Sequence, residues 1–187
     1  MKLRNKNLKI LKSNHVYSEE MEHDACGVGL VASTEGLKSR KVVEYGIDAL
    51  KAVWHRGAID ADGKTGDGAG IHIEIPKDFF EEKIEVTGHK HDNSELCVGM
   101  IFLPRNDYSA QEQCRTIVES ELTKRNFSIY GWRQVPVDPS VLGEKAEQTR
   151  PEITQVLFTY NDKKVVNKSL EQKLYETRRV IEKEALN

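Results

Sequence analysis

Hydrophobic positions along the chain fall into short apolar runs that alternate with helical patterns. Runs of this length, bounded by turn residues, are typical of strands. The segment 70–76 also alternates strictly, with Ile71, Ile73 and Ile75 on one side. The sequence therefore predicts five strands, at residues 27–33, 70–76, 96–104, 127–137 and 152–160.

Three stretches between these runs repeat apolar residues at helical spacing. The first opens at Ser39 and stops at Gly57, and two more follow capping signals, Ser109 with Glu112 and Ser169 with Gln172. Their apolar faces are Val43, Ile47, Leu50 and Trp54; Cys114, Ile117, Val118 and Leu122; and Leu170, Leu174 and Ile181. Strand clusters separated by helices predict an α+β fold with packed layers.

Composition places the chain among soluble globular proteins. Hydrophobic residues make up 38% and charged residues 31%, with a net charge of −2. This charge gives no reason to expect a nucleic-acid partner, and no apolar run approaches the ~20 residues of a membrane helix. The first twelve residues are basic without a following apolar stretch, so no export signal is expected and the interpretation is a cytoplasmic protein.

The glycine-rich segment His55–Ile71 allows several interpretations. It differs from a phosphate-binding loop, because five residues rather than four separate Gly57 from the Gly-Lys-Thr at residues 63–65. It also differs from a calcium loop, which needs an acidic residue or Asn where Lys64 stands. The remaining interpretations are a tight loop in which backbone segments approach closely, and a loop that shapes an active site.

Histidines and cysteines supply few candidate metal ligands. His89 and His91 lie in a polar loop and are more often solvated than metal-bound, and His23 with Cys26 has no second ligand pair. Three cysteines without Cys-x-x-Cys spacing cannot form an all-cysteine zinc site or a four-cysteine iron–sulfur cluster. We expect no metal site in this segment, and inert packing roles for Cys97 and Cys114.

Cys26 stands apart because it joins a polar leader to the first apolar run. The residues themselves leave two interpretations open: a core thiol, or a nucleophile. The second requires cleavage after Ala25, because the freed α-amino group, with a pKa near ~7.7–8.0, could then take the proton of a thiol near ~8.5.

Three motifs in order resemble one family. They are "HDACGVGLVA" from His23, "WHRGAIDADGKTGDGAGI" from Trp54 and "IYGWRQVPVDPSVLGEKAEQTRPEITQVL" from Ile129. Together they resemble the start of the glutamate synthase large subunit, whose first domain is a type-2 glutamine amidotransferase of the N-terminal-nucleophile class. The long Thr-Gly-Asp-Gly-Ala-Gly segment separates this resemblance from other type-2 amidotransferases.

This resemblance implies a fold and a site. The fold would be a four-layer αββα sandwich, represented here only in part, with residues 1–25 a leader removed on maturation and residues 26–187 the N-terminal portion of the domain. Cys26 would be the catalytic nucleophile that hydrolyses glutamine to glutamate and ammonia, for transfer to 2-oxoglutarate in the full enzyme. Gly27 and Arg56 would support the site, although Arg56 fits a role in packing its turn equally well.

The resemblance also assigns groups to later regions of the family protein. No Asn-Gly dipeptide occurs in this sequence, so the family's oxyanion donors are expected beyond it, together with the FMN site and the iron–sulfur cluster. Expected partners are glutamine, the remainder of the large chain and a small subunit. We expect the isolated segment to be inactive. The alternative hypothesis is a truncated, catalytically incompetent module that serves interaction only.

Overall fold

The computed structural model describes residue 6 and residues 27–54, 57–91 and 94–186 of the chain. Two compact units divide it, residues 1–56 and residues 57–187. None of the helices within the described ranges has the length and apolar character that crossing a membrane requires.

The described part of the first unit contains one long helix, α1 (Arg40–Ala52). Ser39 caps it as predicted, because its hydroxyl accepts a hydrogen bond from the backbone N–H of Lys41 at 3.2 Å. Val43, Ile47 and Leu50 are half-buried, whereas Trp54 is exposed beyond the helix end. The predicted apolar face is therefore confirmed for its three helical members only.

The strand predicted at residues 27–33 is wrong. This segment has no regular structure, and Val28 and Leu30 are 92% and 91% exposed. A strand needs a neighbouring strand to receive its backbone hydrogen bonds. The described part of residues 1–56 supplies none.

The second unit is built from helices and strands in alternation. In chain order these are helix α2 (Lys77–Val86), strand β1 (Leu96–Leu103), helix α3 (Tyr108–Lys124), strand β2 (Phe127–Gln134), a 3₁₀ turn (Pro139–Val141), the short helix α4 (Glu144–Thr149), strand β3 (Glu152–Tyr160) and helix α5 (Lys168–Ala185).

The three strands form an antiparallel sheet in the order β1-β3-β2. Val98 of β1 and Gly131 of β2 both pair with Leu157, which places β3 between the other two strands. The register on β2 shifts by one residue between Ile129 and Gly131. Gly131 has a φ of 151°, and a Cβ there would lie 2.9 Å from Thr87 Cγ2, so glycine is needed for both conformation and space.

Side chains on β3 alternate between the two faces of the sheet. Val156 and Phe158 face α3 and α5, in a cluster with Cys97, Val118, Leu122, Phe127 and Leu170. Leu157 faces α2, in a cluster with Phe80, Ile84, Leu96 and Tyr130. The sheet is thus packed between helices on both faces.

The predictions for this unit are confirmed at the three sheet strands and wrong in several details. The strand predicted at residues 127–137 ends at Gln134, and Pro136, which has no N–H to donate to a neighbouring strand, lies just beyond it. Residues 70–76 form no strand; only Ile75 packs against a core cluster, and helix α2, which follows directly, was not predicted. Helix α3 begins two residues earlier than expected, because Asp107 rather than Ser109 caps it. The predicted cap of α5 at Ser169 is also wrong, because the helix begins at Lys168 and Asn167 precedes it without a capping side-chain hydrogen bond.

The predicted α+β class is confirmed by this mixed architecture with a small antiparallel sheet. A four-layer sandwich has two sheets facing each other, and the described residues form one. They therefore account for part of the expected sandwich.

Because Leu157 lies in the core, shortening its side chain is expected to lower the free energy of unfolding strongly. Leu157 is 1% exposed and contacts both neighbouring strands through the sheet, so Leu157→Ala should lower the free energy of unfolding by roughly 2–5 kcal/mol. Val86→Ala, at a side chain 84% exposed, is the control and should change it by less than about 0.5 kcal/mol. Urea unfolding measures both, and equal effects would contradict the core assignment.

Candidate functional site

The structure describes one of the three candidate site residues, Gly27. Cys26 and Arg56 lie outside the described residues. Gly27 is exposed, and a Cβ built on it meets no atom within 4 Å. Neither crowding nor a left-handed backbone therefore explains a glycine at position 27, and its supporting role stays a prediction.

The other two cysteines have the packing roles expected of them. Cys97 lies in β1, 3% exposed within the core, and Cys114 lies half-buried in α3. Burial raises the pKa of the Cys97 thiol to about 12, and the carboxylates of Glu95 and Glu171 act in the same direction. Its thiol is therefore protonated at neutral pH and unsuited to nucleophilic attack.

The glycine-rich segment folds into a tight loop closed by backbone contacts. Ile59 and Gly66 form an antiparallel bridge, and the N–H of Asp60 donates to the carbonyl of Thr65 at 2.7 Å. At the base of the loop, the N–H of Ala58 donates to Asp67 Oδ2 at 2.8 Å. The contacts that close the loop therefore begin at Ala58, the residue that follows Gly57.

Asp62 organises the tip of this loop. Its Oδ1 accepts from the N–H groups of Lys64 and Thr65 at 2.9 and 2.7 Å, and its Oδ2 accepts from the Thr65 hydroxyl. These two N–H groups are the kind that a phosphate-binding loop would offer to its ligand, and here they are already bonded to a side chain. The structure thus supports the interpretation of a tight loop in which backbone segments approach closely.

The hydrogen bonds around Asp62 lower the pKa of its carboxyl well below its usual range. The Thr65 hydroxyl contributes most, followed by the N–H groups of Lys64 and Thr65. An ionised Asp62 is therefore part of the folded loop at neutral pH.

The loop tip contacts a segment about eighty residues further along the chain. Lys145 Nζ donates to both carboxylate oxygens of Asp60, at 2.8 and 2.7 Å. A Cβ on Gly143 would lie 2.2 Å from Thr65 Oγ1 and 2.4 Å from Asp62 Oδ2. No local signal in the sequence marks Gly143 or Lys145 as loop contacts, and sequence reasoning missed both.

Helix α4, which carries Lys145, is itself tied to the end of β1. Glu147 forms ion pairs with Arg105 and with Arg150, whose Nε lies 2.8 Å from Glu147 Oε2. Hydrogen bonds from Arg150 and then from Arg105 lower the pKa of Glu147. The short helix is thus fixed between the loop and the sheet.

His89 and His91 make separate structural contacts. His89 Nδ1 lies 3.1 Å from the Thr87 hydroxyl, and His91 Nδ1 lies 3.1 Å from Glu81 Oε1. Both rings meet Tyr130 edge-on, at centroid distances of 6.2 and 5.8 Å. The expectation that both are solvated is wrong for His91, whose side chain is 5% exposed. Within the described ranges, no group of three or more His, Cys, Asp or Glu could hold a metal ion.

A comparison with protein families identifies the chain. A model described as "Glutamine amidotransferases class-II" matches residues 26–187. The chain belongs to the class-II glutamine amidotransferases. The first residue that this family model matches is Cys26, the position that the resemblance assigned to the nucleophile.

Individual members of the class-II amidotransferase family confirm the resemblance to glutamate synthases. The chain is 53% identical over 177 residues to the glutamate synthase [NADPH] large chain of Azospirillum brasilense, covering 95% of this chain and 12% of that protein. It is 36% identical to the ferredoxin-dependent glutamate synthase of Pyropia yezoensis, covering 94% and 11%. Against the glutamate synthase [NADH] of Saccharomyces cerevisiae it is 37% identical, covering 79% and 7%. The chain thus spans only a small part of each relative's length.

Burial of Cys97 predicts slow labelling by thiol reagents. In a Cys26→Ala/Cys114→Ala variant at pH 8, a pKa near 12 leaves roughly 10³-fold less thiolate than an ordinary cysteine has. We expect labelling by an aromatic disulfide reagent to be slower by at least that factor in the folded protein than in urea, where the same thiol is exposed. Similar rates in both states would contradict the buried placement.

The lowered pKa of Asp62 predicts a loss of stability in acid. A carboxyl whose pKa is lower in the folded than in the unfolded state stabilises the fold fully above the unfolded value, near ~4, and this contribution is lost as the pH falls through the folded value. Asp62→Asn should therefore flatten the decline of the urea midpoint below about pH 4. The control is Asp48→Asn, on the exposed side of α1, and an unchanged slope in Asp62→Asn would contradict the loop geometry.

Proposed function

We propose that this chain forms part of the glutaminase site of a glutamate synthase, with Cys26 as the nucleophile. The observation that carries the proposal is the family match over residues 26–187, which begins at this cysteine. The identity of 53% to a glutamate synthase large chain supports the assignment to that branch of the family.

The proposed reaction begins with removal of residues 1–25. The free α-amino group of Cys26 takes the proton of its own thiol, since the two pKa values lie close together. The thiolate attacks the side-chain amide carbonyl of glutamine, the α-ammonium group returns its proton to the amide nitrogen, and the tetrahedral intermediate expels ammonia to leave a glutamyl thioester. Water then hydrolyses the thioester to glutamate and restores the thiol.

Residues outside Cys26 have supporting roles in this proposal. Arg56 lies next to the glycine-rich loop in the chain and contacts the substrate or packs its turn, and Gly27 gives the substrate access to the thiol. The donors that stabilise the oxyanion come from elsewhere in the full enzyme, since the sequence contains no Asn-Gly pair. Ammonia passes to 2-oxoglutarate in that enzyme, whose other partners are the remainder of the large chain and a small subunit, in the cytoplasm.

The described residues do not fit the iron–sulfur cluster that the family implies. Such a cluster needs several cysteine thiolates close together, whereas Cys97 is a protonated core thiol and Cys114 lies alone on α3. The cluster, and the FMN that the resemblance also implies, are assigned in this proposal to other parts of the full-length enzyme. No step at Cys26 depends on either group.

The test is a chimeric large chain in which this sequence replaces the segment it matches in the Azospirillum brasilense protein. Glutamine hydrolysis is measured as glutamate released in the absence of 2-oxoglutarate. Cys26→Ala should lower kcat to the background rate, because the nucleophile is lost. Cys114→Ala, the matched control, removes a half-buried thiol and should keep kcat within about twofold.

Two outcomes would contradict the proposal. The first is Cys26→Ala hydrolysis at the rate of the unmodified chimera. The second is an active chimera whose intact mass still includes residues 1–25, because an amide nitrogen at Cys26 could not serve as the base.

A further inference from the structure

The inner face of α3 changes from apolar to polar toward the start of the helix. Val118 and Leu122 are buried in the core cluster on this side of the sheet. Gln111 and Arg115 precede Val118 by seven and three positions and therefore lie on the same side of the helix. Gln111 is buried although it is polar. The apolar core thus ends before the first two turns of α3.

A cavity of about 430 Å³ lies at this polar end, between α3 and the sheet. Its walls include Gln111 and Arg115 of α3, Trp132 and Gln134 of β2, and Thr154 of β3. The volume is in the range of small-molecule sites, which measure roughly 300–1,000 Å³ and are mostly lined by apolar groups. A ligand that fits these polar walls must itself be polar.

Thr154 places a hydroxyl in the wall of this cavity. The residue is 4% exposed, on the same face of β3 as Val156. Among the residues that the structure describes, no group forms a hydrogen bond with its Oγ1. A buried hydroxyl without a partner costs free energy that valine, of the same shape, would avoid. The hydroxyl can therefore donate to a molecule bound in the cavity.

Arg115 is held in place by contacts on two sides. Its guanidinium donates to Glu112 and lies over the Trp132 ring, 5.9 Å from the ring centroid. Trp132 is itself fixed, because its Nε1 donates to Glu119 Oε1 at 2.6 Å. The guanidinium has five N–H donors, so that it can bond Glu112 and a further oxyanion at the same time. Its position is thus set before any ligand binds.

Gln111 ties the segment after β1 to α3. Its Nε2 donates to the carbonyls of Pro104 and Arg105, at 2.9 and 3.2 Å. Both partners are acceptors, so the orientation of the amide is fixed. Arg105 and Asn106 consequently form a defined part of the cavity wall.

The charges around the cavity favour one class of ligand. Arg105 and Arg115 contribute positive charges, each partly offset by an ion pair with Glu147 or Glu112. Glu152 also lines the cavity and adds a negative charge, which would repel a phosphate dianion more than a singly charged group. A carboxylate carries one charge and matches the planar guanidinium.

We propose that the cavity between α3 and the sheet binds a small organic carboxylate. Its oxygens accept hydrogen bonds from the Arg115 guanidinium and from the Thr154 hydroxyl. The carboxylate group belongs to a carboxylic acid or to an α-amino acid, whose ammonium group would be attracted to Glu152. This inference does not depend on the role proposed for Cys26.

The experiment follows the fluorescence of Trp132 in the 187-residue chain with Trp54→Phe, which removes the other tryptophan. The probes are propionate, propionamide, L-alanine and inorganic phosphate, each titrated to about 100 mM at constant ionic strength. Propionate should change the emission saturably, with half-saturation at millimolar concentration. Propionamide, which lacks the charge, and phosphate should each bind at least about 10-fold more weakly. L-Alanine binding more tightly than propionate identifies an amino acid as the source of the carboxylate, and weaker binding identifies a carboxylic acid.

Two variants and a matched control locate the binding. Thr154→Val removes the hydroxyl and Arg115→Met removes the guanidinium, and each should weaken propionate binding by about 10- to 100-fold. Thr159→Val is the control, because Thr159 is buried on the same strand but its hydroxyl is bonded to Ser94 and to the carbonyl of Glu95. This variant should bind propionate within about twofold of the parent. In urea, Thr159→Val should unfold earlier, whereas Thr154→Val should keep or raise the midpoint because no internal hydrogen bond is lost.

Four outcomes would overturn the proposal. The first is no saturable change with propionate, and the second is propionamide or phosphate binding as tightly as propionate. The third is undiminished propionate binding in both Thr154→Val and Arg115→Met, with urea transitions that show both variants folded. The fourth is a lowered urea midpoint in Thr154→Val, because its hydroxyl would then have a partner within the protein.

Discussion

The fold of the second unit depends on the pairing of β3 with a strand on each side. Hydrogen bonds from both neighbours satisfy its backbone, so that β3 can be buried on both faces. Val156 and Leu157, each 1% exposed, point to opposite faces and join the two core clusters. The helices on either side of the sheet then have a fixed surface on which to pack.

The described part of the glycine-rich loop is connected to this sheet through ionic and close backbone contacts rather than through the core. Arg105, just beyond β1, pairs with Glu147 of α4, and Lys145 of the same helix pairs with Asp60 in the glycine-rich loop. Gly143 allows the loop tip to approach α4 closely. A rigid scaffold that holds a functional loop at its edge is a common arrangement in enzymes.

The sequence predicts the elements whose signals are local. Strands β1, β2 and β3 are apolar runs bounded by turn residues, and each is found within the run that predicted it, although β2 covers only the first eight residues of its run. The runs at residues 27–33 and 70–76 are equally apolar, but a strand also requires a partner, and no periodicity along the chain shows whether one is present. Among the described residues neither run has one.

The candidate site was predictable only where a motif carries it. The family resemblance of the segments around Cys26 and Arg56 is confirmed, although both residues lie outside the described ranges. The contact of Lys145 with Asp60 could not be predicted, because 85 residues separate them and an isolated lysine on a short helix is an ordinary surface feature. The sequence suggested a tight glycine-rich loop, and the structure adds the surface against which it rests.

The central claim is that Cys26 becomes an N-terminal nucleophile. Its most direct test is covalent capture by a glutamine analogue that carries an electrophilic diazoketone in place of the amide, followed by peptide mass spectrometry of the chimeric large chain. We predict one adduct, on a peptide that begins at Cys26 with a free α-amino group. An adduct on Cys97 or Cys114, or on Cys26 with residues 1–25 still attached, would contradict it.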